Sequence, residues 1–307
     1  MRIAFDPTPL HSTHTFLEFP RVTADLGYEW IQLSPHVDFM PFFRHPRVDR
    51  GLLHATKRAV AEAGIGISSL LPVQRWSSPD EPQREAAVRN WKRIVEIAVE
   101  LGVPVINTEF TGRPERSEDS EAAFYRSMEE LLPIFEQEGL RINIDPHPDD
   151  FVENGLEAVR IIRGLDSDHV GFVYVASHTF HYGNDAPGIM TAAGARLGAA
   201  YTADTLDHTR SHGLRYITNP PGTPARVHQH LRIGDGDVDW AEFFGALSRI
   251  GFLDRDDALI VSNVFAEDEA WEEVSRFQLQ AIRDGVAAAR ASPDPRSATA
   301  ARATSDR

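Results

Sequence analysis

The feature that most constrains the fold of this chain is an eightfold alternation of short apolar runs with longer amphipathic segments. Each apolar run has the length of a buried strand, and each amphipathic segment places its apolar residues at helical spacing. This order predicts parallel strands joined by right-handed helical crossovers. Because eight such units fit within residues 1–290, we predict an α/β fold with one domain, a (β/α)8 TIM barrel, rather than an open sheet.

The predicted strands and helices have clear limits along the chain. The predicted strands are 3–5, 30–33, 65–73, 103–110, 140–151, 170–175, 199–203 and 258–264. The predicted helices are 17–26, 51–63, 82–101, 121–138, 156–165, 189–197, 240–250 and 267–289. Four of these helices are followed by a glycine, which is a common way for a helix to end; these glycines are Gly27, Gly64, Gly102 and Gly139.

Two stretches lack this periodicity. Residues 205–235 are rich in Pro, Gly and His, and a long irregular insertion in a compact domain is usually functional. We therefore expect a lid or an interface there, before the last helix–strand units. Residues 291–307 hold almost nothing to bury and are predicted to be a disordered tail. No G-x-G-x-x-G motif or P-loop follows a predicted strand, which argues against a nucleotide-binding fold.

The net charge of the chain limits the classes of partner that it can bind. Lys plus Arg is 31 and Asp plus Glu is 46, so the formal net charge is −15. Nucleic acids and anionic membranes are bound by basic surfaces, and this balance argues against both. With 0 cysteines, a metal ion would need His, Asp and Glu as ligands. The expected partner is a small-molecule substrate, and self-association into a homo-oligomer stays open.

The sequence also bears on the compartment. Its first ten residues, MRIAFDPTPL, turn polar too early for a signal peptide. No apolar run approaches the roughly 20 residues of a membrane-spanning helix. We therefore expect a cytoplasmic protein.

Ionisable residues recur where the predicted strands end. The clearest case is 140–151, LRINIDPHPDDF, in which an apolar run breaks into Asp, His and Pro. Any one of these residues could simply cap a helix or hold a turn. In a barrel, however, the carboxyl ends of all strands share one mouth. The ionisable residues that this places near one another are Glu109, Asp145, His147, His178, His181 and Asp204.

Carboxylates and imidazoles at one mouth suit a divalent metal such as Mn²⁺, Mg²⁺ or Zn²⁺. The metal would polarise a carbonyl or hydroxyl group, and a carboxylate would move the proton. The candidate catalytic residues are Glu109, Asp145 and His178. The candidate metal ligands are the same three together with His230. His228 and His230 lie two residues apart, which places both on one side of an extended segment.

Other side chains near the predicted mouth are candidate substrate contacts. Arg75 and Arg113 could pair with an anionic group, although arginines near many acids more often pair with surface carboxylates. Aromatic side chains such as Trp76, Phe110 and Phe180 could face a sugar ring, although they also serve as ordinary packing on a barrel. The candidate substrate contacts are His147, His181, Arg113, Trp76 and Asp204.

Several segments carry a resemblance to a known family. They are GYEWIQLSP, ELGVPVINTEF, GLRINIDPHPDDF, VGFVYVASHTFHYG, IGDGDVDWAEFFGALSRIGF and ALIVSNVFAEDEAW. In this order the chain resembles the sugar phosphate isomerase/epimerase group of xylose isomerase-like TIM barrels over residues 1–290. The resemblance implies the fold and the location of the site. It leaves the reaction open, because the group includes isomerases, epimerases, dehydratases and lyases.

The resemblance also implies a metal site, from which this sequence departs. The family takes a Glu from strand five, an Asp from strand six, a His from strand seven and a Glu from strand eight. Here those positions hold Asp145, Val175, Tyr201 and Asn263, which makes the metal site degenerate. His178 matches the family's substrate-contacting His.

Three functions follow as hypotheses. The first is an isomerase or epimerase acting on a sugar, polyol or related polyhydroxy-carbonyl compound by proton transfer next to a carbonyl. The second is a lyase, dehydratase or cyclase with an altered metal site or no metal. The third is a non-catalytic binding or partner subunit, for which the aromatic-rich segment 39–43 would be a contact surface.

Overall fold

The computed structural model describes residues 1–182, 185–207, 216–218, 226–265 and 270–291, with backbone alone at 181, 216–218 and 226–228. The strands are β1 Arg2–Phe5, β2 Trp30–Leu33, β3 Gly66–Leu70, β4 Val105–Glu109, β5 Arg141–Asp145, β6 Val170–Val175, β7 Leu197–Tyr201, β8 Tyr216–Thr218, β9 Arg226–His228 and β10 Leu259–Ser262. The helices are α1 Phe19–Asp25, α2 Arg50–Ala63, α3 Glu81–Leu101, α4 Ser117–Gln137, α5 Gly155–Gly164, α6 Ala176–Thr179, α7 Ala186–Ala193, α8 Trp240–Arg249 and α9 Trp271–Ala291.

Eight parallel strands close into a barrel in the order β1-β10-β7-β6-β5-β4-β3-β2. The closing pair is β1 with β10, in which Arg2 lies opposite Leu259 and Phe5 opposite Ser262. The predicted single-domain (β/α)8 barrel is confirmed. All eight strands therefore point their carboxyl ends at one face, where the ionisable residues were expected.

Local sequence explains where the long helices begin and end. Asp49 and Asp80 occupy the N-cap positions of α2 and α3, and each carboxylate accepts a backbone N–H two or three residues inside the helix. Gly64 and Gly102 end the same helices in the left-handed conformation, with φ of 69° and 72°. These caps are why the predicted limits of both helices agree closely with the structure.

The interior of the barrel is polar near its centre. The Gln32 side-chain oxygen accepts hydrogen bonds from Ser69 (2.9 Å), Asn107 (3.0 Å) and the Tyr201 hydroxyl (2.5 Å). The Gln32 amide in turn donates to Asp6 over 3.2 Å. Buried polar groups that are fully paired restrict side-chain conformations. The residues near the barrel mouth therefore rest on a hydrogen-bonded layer rather than on an apolar one.

Several elements differ from their predicted limits. Strand seven lies at Leu197–Tyr201 rather than 199–203, and the last helix runs to Ala291. Within 205–235, β8 and β9 pair as an antiparallel ribbon, and Asp204 forms a β-bridge with Leu231. Residues 208–215 and 219–225 lie outside the described residues, as do 292–307, so the predicted lid or interface and the predicted tail stay predictions. None of the described helices is long and apolar enough to cross a membrane.

Candidate active site

Two carboxylates stand side by side at the mouth of the barrel. Glu109 ends β4 and Asp145 ends β5, and they are directly opposite in the β4–β5 pairing. Asp145 is 3% exposed. Burial, with the nearby Glu109 charge as a second cause, raises the pKa of Asp145 well above its usual value. The strand register thus places two carboxyl groups side by side. The buried one, Asp145, favours its protonated form.

A hydrogen-bonded chain links Asp145 to two histidines. The His178 Nδ1 atom lies 2.8 Å from Asp145 Oδ2, and its Nε2 atom lies 3.3 Å from the Nε2 atom of His230. The His230 Nδ1 atom lies 2.6 Å from the Asn263 carbonyl oxygen. The His178 side chain reaches this position because the short helix α6 follows β6 directly.

The positions of the protons follow from these contacts. A carbonyl cannot donate, so His230 Nδ1 carries a hydrogen and donates to Asn263. Burial lowers the pKa of His230 to about 3, so the ring is neutral and its Nε2 holds a lone pair. His178 Nε2 must then donate to His230. One further proton is shared between His178 Nδ1 and Asp145. This pair can therefore donate or accept a proton at the mouth of the barrel.

A second cluster adjoins this chain. One nitrogen or oxygen atom from each of Glu109, His147 and Asp150 lies within 4.8 Å of the others. His147 Nε2 lies 3.8 Å from Glu109 Oε1. The His147 ring centroid is 4.7 Å from that of His178, so the two clusters are contiguous.

Asp150 is held in the second cluster by the backbone. Its Oδ2 atom accepts the Thr111 N–H over 2.6 Å. Burial first, and the Glu109 charge second, raise the pKa of Asp150 well above its usual value. His147 Nδ1 donates to the Pro148 carbonyl over 2.7 Å, which leaves Nε2 directed toward Glu109 as a potential ligand atom. Two carboxylates and an imidazole in this arrangement are a donor set for a divalent cation.

An open cleft of about 350 Å³ lies over the loops that follow β3, β4 and β5. The side chains of Glu109 and His147 are 18% and 23% exposed and form part of its lining. The Asp145–His178–His230 chain lies behind them. Substrate entering this cleft would therefore meet Glu109 and His147 first. Other lining residues are Phe43, Arg75, Gln83, Thr111, Arg113 and Asp149.

The structure brings together five of the residues singled out from the sequence. They are Glu109, Asp145, His147, His178 and His230. Arg113 lines the cleft with 51% of its side chain exposed and lies 4.0 Å from Glu115. His181 falls in the turn Phe180–Tyr182, and its side chain is outside the described residues.

The expectation that Trp76 contacts substrate is wrong. Trp76 is 0% exposed and stacks on Trp91 at 4.6 Å between ring centroids. Its indole N–H donates to the carbonyl oxygens of Glu109 and Phe110, at 3.1 and 2.9 Å. Phe110 is also fully buried. Trp76 therefore holds the end of β4 from below, and it supports Glu109 instead of facing a ligand.

The expectation for Asp204 is also wrong. Asp204 is 0% exposed, and its carboxylate is occupied by the turn that precedes α8. It accepts the N–H groups of Gly234 (2.8 Å) and Val238 (3.1 Å) and the indole N–H of Trp240 (2.8 Å). With the Thr205 N–H as a further donor, this buried carboxylate serves to fold its own surroundings instead of facing a substrate.

Sequence reasoning missed Asp150. It is the third Asp of the DPHPDDF run, and nothing in the sequence distinguishes it from the exposed Asp149 beside it. The structure separates the two because Asp149 adopts a positive φ of 68°, which turns the chain and buries Asp150 under Thr111. A positive φ at a non-glycine residue is not readable from composition or periodicity.

The metal positions implied by the resemblance do not fit a metal here. Val175 is apolar and buried, and the Tyr201 hydroxyl donates to Gln32. The Asn263 amide nitrogen lies 3.1 Å from His230 Nδ1, so Asn263 faces the imidazole instead of an ion site. Of the four positions only Asp145 keeps a carboxylate. The Glu109–His147–Asp150 cluster, one strand further round the barrel, is the set whose donor atoms do fit.

The xylose isomerase-like TIM barrel family matches residues 20–284 of the chain. The chain therefore belongs to this family. No curated protein matches its sequence.

Solved structures resemble the chain in fold. L-ribulose 3-epimerase is 17% identical with a TM-score of 0.71, and the match covers 94% of this chain and 95% of that one. D-psicose 3-epimerase, solved in the presence of D-fructose, is 15% identical with a TM-score of 0.70, covering 93% and 99%. The IOLI protein with a bound zinc atom is 20% identical with a TM-score of 0.69, covering 93% and 98%. At these identities the likeness shows the fold alone.

Proposed function

We propose that the protein is an isomerase or epimerase that moves a proton next to the carbonyl of a polyhydroxy compound. The observation that carries the proposal is the Asp145–His178 pair, which shares one proton beside a second carboxylate, Glu109. Family membership and neighbours named as sugar epimerases support this class of reaction. A small-molecule substrate follows from the size of the cleft.

The reaction requires a base and an acid on one substrate. We assign Glu109, which reaches the cleft, as the base that removes the proton from the carbon next to the carbonyl. The Asp145–His178 pair provides the proton that neutralises the developing enolate oxygen. Return of a proton to the neighbouring carbon gives the isomer, and return to the opposite face of the same carbon gives the epimer.

The proposal includes one candidate site for a divalent metal. Glu109, His147 and Asp150 would hold it, since their donor atoms converge. When bound, such an ion supplies Lewis-acid polarisation of the substrate carbonyl or hydroxyl. Glu109 would then act as a ligand, and the Asp145–His178 pair would remain an acid–base group beside it.

A second candidate is a lyase or dehydratase with an altered metal site or no metal. The observation in its favour is the loss of metal-binding groups at Val175, Tyr201 and Asn263. Both reactions begin with the same proton abstraction next to a carbonyl. They diverge when the enolate either takes a proton back or expels a hydroxyl group from the next carbon.

Proton exchange with solvent tests the proposal and separates the two candidates. The full chain, supplied with Mn²⁺, is incubated in D₂O with D-fructose, D-psicose, D-tagatose and L-ribulose, and the products are followed by NMR. We expect deuterium at the carbon next to the carbonyl and new isomer or epimer signals. Signals of a dehydrated product would favour the second candidate instead.

Matched variants tie the activity to the site. Asp145→Asn and His178→Asn remove the shared proton and should lower the exchange rate by about 10²-fold or more, the usual worth of a general acid or base. Asp168→Asn and His54→Asn make the same chemical changes at exposed positions and should leave the rate unchanged. Wild-type exchange in both site variants would show that this pair is not the acid–base group.

A further inference from the structure

One guanidinium in the cleft has no acidic partner. Arg75 lies over the Phe43 ring, with its guanidinium carbon 4.4 Å from the ring centroid. Among the described residues it makes no ion pair and its guanidinium no hydrogen bond. Arg113, which lines the same cleft, lies 4.0 Å from Glu115.

The backbone around this cleft is strained. Four non-glycine residues have positive φ in the part of the chain that the structure describes, and three of them line the cleft. These are Phe43 and Thr111, both at 56°, and Asp149 at 68°. Residues in such conformations persist only where the surroundings hold them, and they concentrate at ligand-binding sites.

The backbone holds the Phe43 ring close to Arg75. The Phe43 N–H donates to the Val73 carbonyl over 3.0 Å, which fixes the ring on the loop that follows β3. Arg75 lies on the same loop, close above that ring, and lines the cleft together with Phe43. A guanidinium in this position can donate two hydrogen bonds to the two oxygen atoms of one planar group.

We propose that this cleft binds a carboxylate group of the substrate through Arg75, so that the substrate is a polyhydroxy acid. The identity of the reaction rests on the proposed function above; the binding step does not. Charge distinguishes a carboxylate from a phosphate here. Four carboxyl groups line the cleft, and a doubly charged phosphate would be repelled more strongly than a singly charged carboxylate. These groups belong to Glu109, Glu115, Asp149 and Asp150.

The position of Arg75 gives the orientation of the substrate. Arg75 and the proton-transfer residue Glu109 line the same cleft of about 350 Å³, which has room for one six-carbon molecule. With its carboxylate on Arg75, a polyhydroxy acid would extend its carbonyl or hydroxyl carbons toward Glu109 and His147. Arg113 lies on the same cleft but is drawn toward Glu115 at 4.0 Å, so Arg75 is the primary anchor.

Titration calorimetry on the full chain tests the binding step. The probes are D-gluconate, D-glucuronate and D-galacturonate, each compared with its neutral counterpart D-sorbitol, D-glucose or D-galactose, and with D-glucose 6-phosphate. We expect at least one acid to bind tenfold or more tightly than its neutral counterpart and than the phosphate. Equal binding of acids and neutral sugars, tighter binding of the phosphate, or no binding of any acid would overturn the proposal.

Variants assign the preference to the residue. Arg75→Gln should abolish the preference for the acid, whereas Arg58→Gln, the same change at an exposed position on α2, should preserve it. Phe43→Leu keeps the guanidinium but removes its support, and should reduce the preference several-fold. An acid preference that survives in Arg75→Gln protein with an unchanged thermal unfolding midpoint would contradict the assignment.

Failure of this proposal and failure of the proposed function give different results. Acids that bind through Arg75 without any deuterium exchange would keep the binding site and reject the isomerase or epimerase. Neutral ketoses that exchange deuterium, with no preference for acids, would keep the reaction and reject the carboxylate site. The two measurements use the same protein preparations.

Discussion

At the scale of single residues, His11 illustrates how burial of a titratable group makes stability depend on pH. Its ring stacks on Phe19 at 5.5 Å and meets His36 edge-on at 5.1 Å between centroids. Burial, with the His36 charge as a second cause, lowers the pKa of His11 to about 4 from 6.5. The folded state therefore binds fewer protons than the unfolded state between these values. Stability falls as pH is lowered through this window.

Replacing this group should remove part of that dependence. His11→Phe keeps a ring in the stack and cannot be protonated. We therefore expect the change in unfolding free energy caused by this substitution to be about 1–2 kcal/mol more favourable at pH 5 than at pH 7.5. Urea unfolding at the two pH values measures it. His54→Phe, on the exposed face of α2, is the control. A His11→Phe effect that is the same at both pH values would contradict the assigned pKa.

The sequence predicted which residues lie near the barrel mouth better than it predicted the directions of their side chains. Glu109 and Asp145 were found because each ends an apolar run, and register then places them side by side. Trp76 and Arg75 are neighbours in sequence, yet the first points into the core and the second into the cleft. That difference depends on the turn after β3 and on the side chains available for packing on each side, such as Trp91 in the core. Neither is encoded in local spacing.

At the scale of elements, the turn before α8 depends on one buried carboxylate. Asp204 accepts hydrogen bonds from three groups of the segment 234–240 in addition to the Thr205 N–H at 2.8 Å. Gly236 lies so close to the carboxylate that a Cβ atom would clash with it. The GDGDVDW motif is thus a structural device that joins the end of β7 to the start of α8.

Removing that carboxylate should destabilise the fold strongly. Asp204→Ala leaves buried N–H donors without a partner, so we expect the free energy of unfolding to fall by roughly 3–5 kcal/mol. Asp235→Ala changes an acid of the same turn that is 47% exposed and paired with Arg232, and should cost less than about 1 kcal/mol. Urea denaturation compares the two. Similar losses in both variants would mean that Asp204 does not organise this turn.

Elements with their own local signals were predicted well, and elements made by pairing were not. Helix α3 was expected at 82–101 and occupies Glu81–Leu101, because an Asp cap and a Gly stop delimit an amphipathic stretch. The ribbon of β8 and β9 has three residues in each strand, and its existence depends on cross-strand hydrogen bonds between distant residues. A segment of that length carries too little periodicity to be distinguished from a loop.

At the scale of the whole molecule, the count of units determined the architecture. The pairing of β1 with β10 joins residues more than 250 positions apart, and no local pattern encodes it. It follows because eight parallel strands with the normal tilt close on themselves. The shared mouth could therefore be predicted. The full ligand set could not, because the family pattern points to strands five to eight, whereas the converging donors lie at the end of β4 and on the loop after β5.

This shift around the barrel leads to a prediction about metal content. We assume that the ion is held by Glu109, His147 and Asp150. Wild-type protein that is loaded with Mn²⁺ or Zn²⁺ and then desalted should retain about one equivalent of metal. Glu109→Gln and Asp150→Asn should each lower the retained amount at least tenfold. Glu115→Gln and Asp149→Asn change neighbouring acids of the same cleft and should retain the wild-type amount. Inductively coupled plasma mass spectrometry measures the wild-type protein, these four variants and Asp145→Asn. Equal losses in the two control variants would indicate diffuse charge binding, because a coordination site responds only to its own ligands. Retention that is lost on Asp145→Asn but not on Asp150→Asn would return the ion to the family position, where Asp145 is the one carboxylate that remains.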